Sequence, residues 1–323
     1  MPKQRVITGL QPSGSQLHIG NYLGAIKPLA DFQEDKECFI CVVNYHALTT
    51  VHDAKLLSEQ TLEAATEYLA CGVDPDKTTL FIQSDVPELH ELTWIFKCIT
   101  PMGLLERAVA YKDKVANGIE PSVGLFTYPA LMAADILAYQ INLVPVGKDQ
   151  KQHVEIARDM AEKFNHTFGE AFVLPEAVIP EELATIPGVD GRKMSKSYGN
   201  FIGMFEEEKS ILKKIKGIVT DSKGVGEPKE TEGSTIFRLF ELLATESETE
   251  AMRKRFAEGI GYGDAKEALY EVFLRSLKDV RERYTEFKAN PDLVRAIFAR
   301  GGEKAREDAA KTLTNVRKLI GII

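Results

Sequence analysis

The stretch RVITGLQPSGSQLHIGN, Arg5–Asn21, decides how the chain is read. Its first five residues are β-rich and apolar enough for a buried strand. Gly9, Pro12 and Gly14 then make a turn, and a helix is expected to begin near His18. A strand, a glycine-rich turn and a helix form the opening unit of an open α/β sheet. The helix start in such a unit presents backbone N–H groups and the positive end of its dipole. His18 adds a donor there, Gly20 lets a flat ring approach the backbone, and Asn21 supplies an amide. Taken alone, this stretch suits a nucleotide, and it suits many other ligands too.

The pattern repeats downstream. CFICVV (38–43), TTLFIQ (78–83) and INLVPVG (141–147) are further short β-rich runs. Between them lie helical patterns such as DAKLLSEQTLEAATEYLACG, with Gly72 as its stop. Strands alternating with helices predict an α/β fold with a Rossmann-type, doubly wound parallel sheet. Ligands of such sheets bind at the carboxyl ends of the strands. After about residue 200 the strands fade. Leu269, Phe273, Leu277, Val280, Tyr284 and Phe287 recur as one helical face, and another helix is expected near REDAAKTLTNVRKLI. TDSKGVGEPKETEGS (220–234) reads as an exposed, mobile connection. The expected organisation is a catalytic domain over 1–200 and a C-terminal α-helical domain over 201–323, whose last helix packs back on the core.

Composition narrows the classes. The 323 residues carry a formal net charge of −8, unevenly spread: −9 over residues 1–200 and +1 over 201–323. Nonspecific nucleic-acid binding is not indicated by such a chain, so an RNA partner would need local basic patches. No apolar run is long enough to suggest a membrane span, and the N-terminus lacks a secretory core, so a cytoplasmic protein is expected. Cys38 and Cys41 invite a metal reading, but residues three apart on a strand face opposite ways, which favours buried thiols. His46, His52, His90, His153 and His166 show no metal spacing, and no metal site is expected. Neither G-x-x-x-x-G-K-[ST] nor G-x-G-x-x-G occurs.

One loop stands out. GRKMSKSYGN (191–200) places Arg192, Lys193 and Lys196 with Ser195 and Ser197 between two glycines, inside an acidic chain. Such a loop is either a solvated turn or a mobile seat for an anion.

HIGN (18–21), followed 175 residues later by KMSKS (193–197), resembles the paired signatures of class I aminoacyl-tRNA synthetases. GLQPSG (9–14), LFTYPALMAADILAY (125–139) and LVPVGKDQKQHVEIARDMAEKFN (143–165) resemble the tryptophanyl-tRNA synthetases in particular. The likeness runs through most of residues 5–220 and thins beyond them. Asn21 departs from the His that commonly ends the first signature, and both side chains donate hydrogen bonds. The resemblance implies ATP with Mg2+ and L-tryptophan as co-substrates, tRNA(Trp) as acceptor, a helical anticodon-reading domain, a homodimer and no membrane. It places the ATP site on Gln11, Pro12, Ser13, Gly20, Asn21, Gly147, Lys148, Asp149, Ile186, Lys193, Met194, Ser195, Lys196 and Ser197. It gives Asp135 the reading of the indole, near Met132, with Tyr128 and Gln150 as holders of the substrate amine.

The chemistry agrees with that placement. Displacement of pyrophosphate builds negative charge on phosphate oxygens, and positioned cations stabilise it. Lys193 and Lys196 on a hinged loop suit that role, with His18 donating from the other side. Asp135 lies among Leu, Met, Ala and Ile. It is either an exposed or locally salt-bridged helix residue, or an acceptor for a group that only donates, as an indole N–H does. A site that pairs a polar group rejects analogues lacking it, so no editing domain is needed, and none is visible. KKIK (213–216), RKR (253–255) and RER (281–283) are the basic clusters available to RNA. Two alternatives stay open at this point: a tyrosine-activating enzyme of the same architecture, and an idle paralogue that binds nucleotide or RNA.

Overall fold

The computed structural model describes residues 3–12, 17–107, 111, 118, 120–147, 150–179 and 186–323, without the side chains at 24, 25, 28, 31 and 197. Five strands pair: β1 (Arg5–Leu10), β2 (Glu37–Val42), β3 (Thr78–Ile82), β4 (Leu143–Pro145) and β5 (Glu176–Val178). All pairings are parallel, in the order β3-β2-β1-β4-β5. This is the Rossmann-type sheet expected from the alternating runs. Three residues are too few to show alternation, which is why β5 escapes the sequence reading. Register pairs Ile7 with Phe39, and Cys41 with Phe81, and all four belong to one core. Val6, Cys38, Ile40 and Leu80 are buried as well, so both sheet faces are covered. Cys38 and Cys41 are buried free thiols on a strand.

Among the described residues, the longer helices interleaved with these strands are α1 (Ala54–Ala70), α2 (Glu88–Ile99), α3 (Val123–Leu137) and α4 (Lys151–Phe168). Side chains mark their starts. Asp53 accepts from Leu56 N at 2.8 Å, and Ser122 from Leu125 N at 3.0 Å. Gly72, with φ of 92°, follows the end of α1 as the sequence predicts.

The chain divides into two compact units. One comprises Met1–Gly14, Pro28–Glu181 and Phe287–Ile323; the other comprises Ser15–Lys27 and Glu182–Glu286. The second unit therefore takes in the HIGN segment and the lysine loop, and the chain's last segment belongs with the sheet.

Helices α5 (Glu208–Lys216), α6 (Thr235–Leu243), α7 (Glu246–Ala257) and α8 (Tyr262–Ser276) build the second unit, and α9 (Lys278–Ala289) runs across the division. Ile236, Phe237, Phe240, Met252, Phe256, Leu269 and Phe273 are buried. The expected single helix over 269–287 is two: it breaks at Leu277, yet Leu277, Val280 and Tyr284 stay buried, so the face survives the break. The connection 220–234 is largely exposed, as expected, but it is tied down at one point. Lys229 is buried and its Nζ donates to the carbonyls of Gly224 (2.7 Å) and Glu227 (3.1 Å), beneath the Tyr262 ring. The sequence shows the lysine but not the carbonyls that hold it.

The last helix, α10 (Pro291–Leu319), is about twice as long as its periodic stretch suggests. It covers the edge strand β3. A Cβ on Gly301 would sit 1.8 Å from the Leu80 carbonyl oxygen, so only glycine lets the helix backbone lie there. Arg300–Asp76, Arg306–Glu88, Arg5–Asp308 and Arg317–Glu91 pairs fasten the helix along its length. Thr312 Oγ1 donates to Ala138 O at 2.8 Å, tying it to the end of α3.

Candidate active site

In the sheet unit, the side chains that matter stand at strand ends. Gln83 follows β3, His46 lies four residues past β2, and α3 brings Asp135 between them. Asp135 is buried. Gln83 Nε2 donates to both its oxygens, at 2.8 and 2.9 Å, and His46 Nε2 reaches Oδ2 at 2.9 Å. The Gln83 amide cannot flip, because its Oε1 accepts from Tyr45 N at 3.0 Å. The local salt bridge foreseen for Asp135 is thus a nest of two partners remote in sequence, and the exposed alternative is ruled out. Two carboxylate oxygens offer about four acceptor sites, so one more donor can be taken.

Tyr128, about two turns before Asp135 on α3, meets the His46 ring edge-on at 6.0 Å and stacks on His153 at 5.3 Å. Its hydroxyl shares a hydrogen bond with His153 Nε2, and burial pushes its pKa up to about 12. Met132 is half-buried against the same core. Gln11 Nε2 donates to His46 O at 3.4 Å, and Pro12 is buried beside it in sequence. Gln150 heads α4, its N–H donating to Gly147 O at 2.9 Å.

In the second unit, His18 and the lysine loop are strung on one strip of backbone. Ile19 N donates to Ile202 O at 3.2 Å, and Met204 N to Leu17 O at 2.9 Å, with His18 bridged to Gly203 between them. His18 caps the turn Ile19–Asn21: its Nδ1 accepts from Asn21 N at 3.2 Å, while Asn21 Oδ1 accepts from His18 N at 3.4 Å. The N–H groups of Ile19 and Asn21 are therefore occupied, and the donor left to the histidine is Nε2–H. Burial, with Lys196 nearby, lowers its pKa to about 4, so the ring is neutral at physiological pH. The helical run continues through a π turn, Tyr22–Ile26, of the kind often found beside functional groups. A Cβ on Gly20 would come within 2.9 Å of His18 Nδ1 and 3.5 Å of Met194 Sδ. That glycine is needed first for the histidine cap.

The loop itself is clasped by Asn200, which is 3% exposed. Its Oδ1 accepts from Ser195 N at 2.8 Å, and its Nδ2 donates to Lys193 O (3.1 Å) and to Asp190 Oδ1 (2.7 Å). The last of these bonds, with those from Arg192, holds the Asp190 carboxyl below its usual range. Met194 N donates to Ile186 O at 2.8 Å, and Met194 is buried. Gly191 and Gly199 take φ of 81° and 64°, which only glycine adopts freely. Lys193 is exposed, and Lys196 opens a short 3₁₀ turn through Tyr198. The structure thus brings His18, Gly20 and Asn21 together with Ile186 and the lysine loop. Ser13, Lys148 and Asp149 lie outside the described residues, as does the Ser197 side chain.

Sequence reasoning missed Gln83, His46, His153 and Asn200. Two of these positions were within reach of one rule: Gln83 and His46 sit just beyond strands, where such sheets bind ligands.

Comparison with known proteins agrees with this geometry. Residues 2–278 match the family described as tRNA synthetases class I (W and Y). The tryptophan--tRNA ligase of Campylobacter jejuni (strain RM1221) is 49% identical over 319 residues, covering 98% of this chain and 100% of the relative. That of Rhodopirellula baltica is 48% identical over 98% of this chain and 99% of its own. The crystal structure of the C. jejuni tryptophanyl-tRNA synthetase complexed with ADP and tryptophan superposes with a TM-score of 0.94, at 48% identity over 98% of this chain and 100% of that one. The chain belongs to the class I tRNA synthetases of the W and Y family and, within it, to the tryptophanyl-tRNA synthetases.

Proposed function

We infer that the chain catalyses tryptophan–tRNA ligation in the cytoplasm. The tryptophan carboxylate attacks the α-phosphate of ATP, and the bond to the β-phosphate breaks, giving tryptophanyl-AMP and pyrophosphate. A terminal ribose hydroxyl of tRNA(Trp) then takes the tryptophanyl group and AMP leaves. Magnesium enters with the ATP phosphates as part of the substrate. One observation carries the reading: a buried carboxylate, oriented by Gln83 and His46, retains room for one more donor. An indole N–H only donates, so Asp135 is its partner. Met132 offers the ring a polarizable surface. Tyr128 and Gln150 hold the substrate amine.

Lys193 and Lys196 supply positive charge to the phosphates as pyrophosphate departs, and neutral His18 donates through Nε2. Gln11, Pro12, Ser13, Gly20, Asn21, Gly147, Lys148, Asp149, Ile186, Met194, Ser195 and Ser197 frame the nucleotide. The helical domain offers RNA the exposed Lys213 and Arg255, whereas Lys214 is paired with Glu206, and Arg253 with Glu241 and Glu250. Exposed Trp94, Met102 and Val123 in the sheet unit support a homodimer, which sedimentation of Trp94→Glu tests by loss of the dimer.

The test of the activity is exchange of labelled pyrophosphate into ATP. Tryptophan is expected to drive it and tyrosine is not. Exchange driven by tyrosine alone would move the assignment to the tyrosyl branch, and no exchange with any amino acid would leave an idle paralogue.

A further inference from the structure

The RER cluster (281–283) reads in sequence as a charge patch open to RNA phosphate. Its first arginine is engaged inside the protein. Arg281 Nη2 donates to Glu206 O at 3.0 Å, and Nη1 donates to Met204 O. These carbonyls belong to the strip whose other edge carries Leu17, His18 and Ile19. Met204 N bonds Leu17 O, Gly203 bridges His18, and Ile202 O accepts from Ile19 N. Glu206 braces the same strip: its Oε1 accepts from Gly203 N (3.0 Å) and from Lys214 Nζ (2.5 Å). Phe205 stacks on Tyr284, one turn from Arg281 on α9, with ring centres 4.0 Å apart. A planar five-donor fork is suited to holding two carbonyls at once, which an ammonium cannot do with the same geometry.

We propose that Arg281 is a positioning residue for adenylate formation, fixing the 202–206 strip and through it the direction in which His18 Nε2–H points. The proposal rests on the role assigned to His18 above. It also makes α9, in the helical bundle, a lever on the catalytic histidine, since any shift of that helix is delivered to the strip through the guanidinium.

The test compares pyrophosphate exchange in wild type, Arg281→Ala and Arg281→Lys, with tryptophan binding measured by calorimetry. A displacement of about 1 Å costs on the order of 10²-fold in rate. Arg281→Ala is expected to lower kcat/KM for ATP by about that factor while tryptophan affinity stays within about twofold; Arg281→Lys is expected to recover part of the loss. In ¹⁵N-histidine spectra the His18 Nδ1 signal, assigned with His18→Asn, should leave the hydrogen-bonded acceptor position in Arg281→Ala. If Arg281→Ala does not fold, Arg281→Lys alone decides, since an unchanged ATP dependence and His18 signal there would overturn the proposal. Equal loss for ATP and tryptophan would also overturn it, marking a structural role only. Failure of wild-type exchange would instead strike the reading of the site, leaving the NMR result to judge the strip by itself.

Discussion

The Asp135 nest and the lysine loop do different work with different materials. Around Asp135 the contacts join buried or half-buried side chains: Gln83 is 0% exposed, and His46 is half-buried. Each stands on a helix or just past a strand, and each amide or ring is turned by a second partner. Around Lys193 and Lys196 the order is in the backbone, held by Asn200 and by glycines at positive φ, while the charged end of Lys193 is left at the surface. A ligand recognised by one N–H needs an acceptor fixed in advance. A polyphosphate whose charge grows during reaction needs cations free to follow it. On the proposed function, selectivity would rest on the buried side-chain nest and rate on the backbone-ordered loop.

The largest effect expected falls on the loop. Lys196→Ala should slow adenylate formation by about 10²–10³ and leave tryptophan binding unchanged; stopped-flow and calorimetry together check this. Equal losses in both would break the division of labour. Next comes Asp135→Ala, which removes a charge-assisted hydrogen bond worth about 1.5–3 kcal/mol. Tryptophan affinity should fall accordingly, with ATP affinity nearly intact by the same calorimetry. Third, Gly301→Ala forces a methyl against the Leu80 carbonyl. Overpacking of that kind costs about 1–3 kcal/mol, to be read in urea melts. If the nest is as rigid as its contacts imply, selectivity for tryptophan survives this loosening of the edge.

The smallest effect concerns pH. His18 has a pKa of about 4 in the folded chain against 6.5 when free. Between those values the unfolded chain binds a proton that the folded chain refuses. The contribution of His18 to stability is therefore complete above pH 6.5 and is lost as the pH falls toward 4. Urea melts of wild type and His18→Asn at pH 7 and pH 4.5 should show the slope shrinking in the variant. Exchange activity should show no ionisation of His18 between pH 5 and 8.

The frame of the molecule was legible because burial on both sheet faces makes β1, β2 and β3 read as nearly continuous apolar runs. The lysine loop stood out through charge and glycine placement, whereas HIGN and KMSKS were paired through the resemblance to class I synthetases. What stayed hidden depends on pairing across long separations. Gln83 and His46 meet Asp135 over 52 and 89 residues, and no local pattern reports that. Asn200 looks like the tail of a polar loop until its amide is seen to bond Lys193 and Ser195. Arg281 shows its charge in sequence, but not the two carbonyls that use it up. β5 is too short to carry a period, and the break at Leu277 leaves the apolar face unchanged, so neither leaves a trace.

The most direct measurement is the ratio of kcat/KM for tryptophan to that for the analogue in which sulfur replaces the indole N–H, in wild type and in Asp135→Ala. A site built around a buried acceptor should prefer tryptophan by roughly 10⁴ or more in wild type, and the preference should collapse to about tenfold or less once the carboxylate is gone. A ratio that is the same in both proteins would show that Asp135 does not read the indole nitrogen.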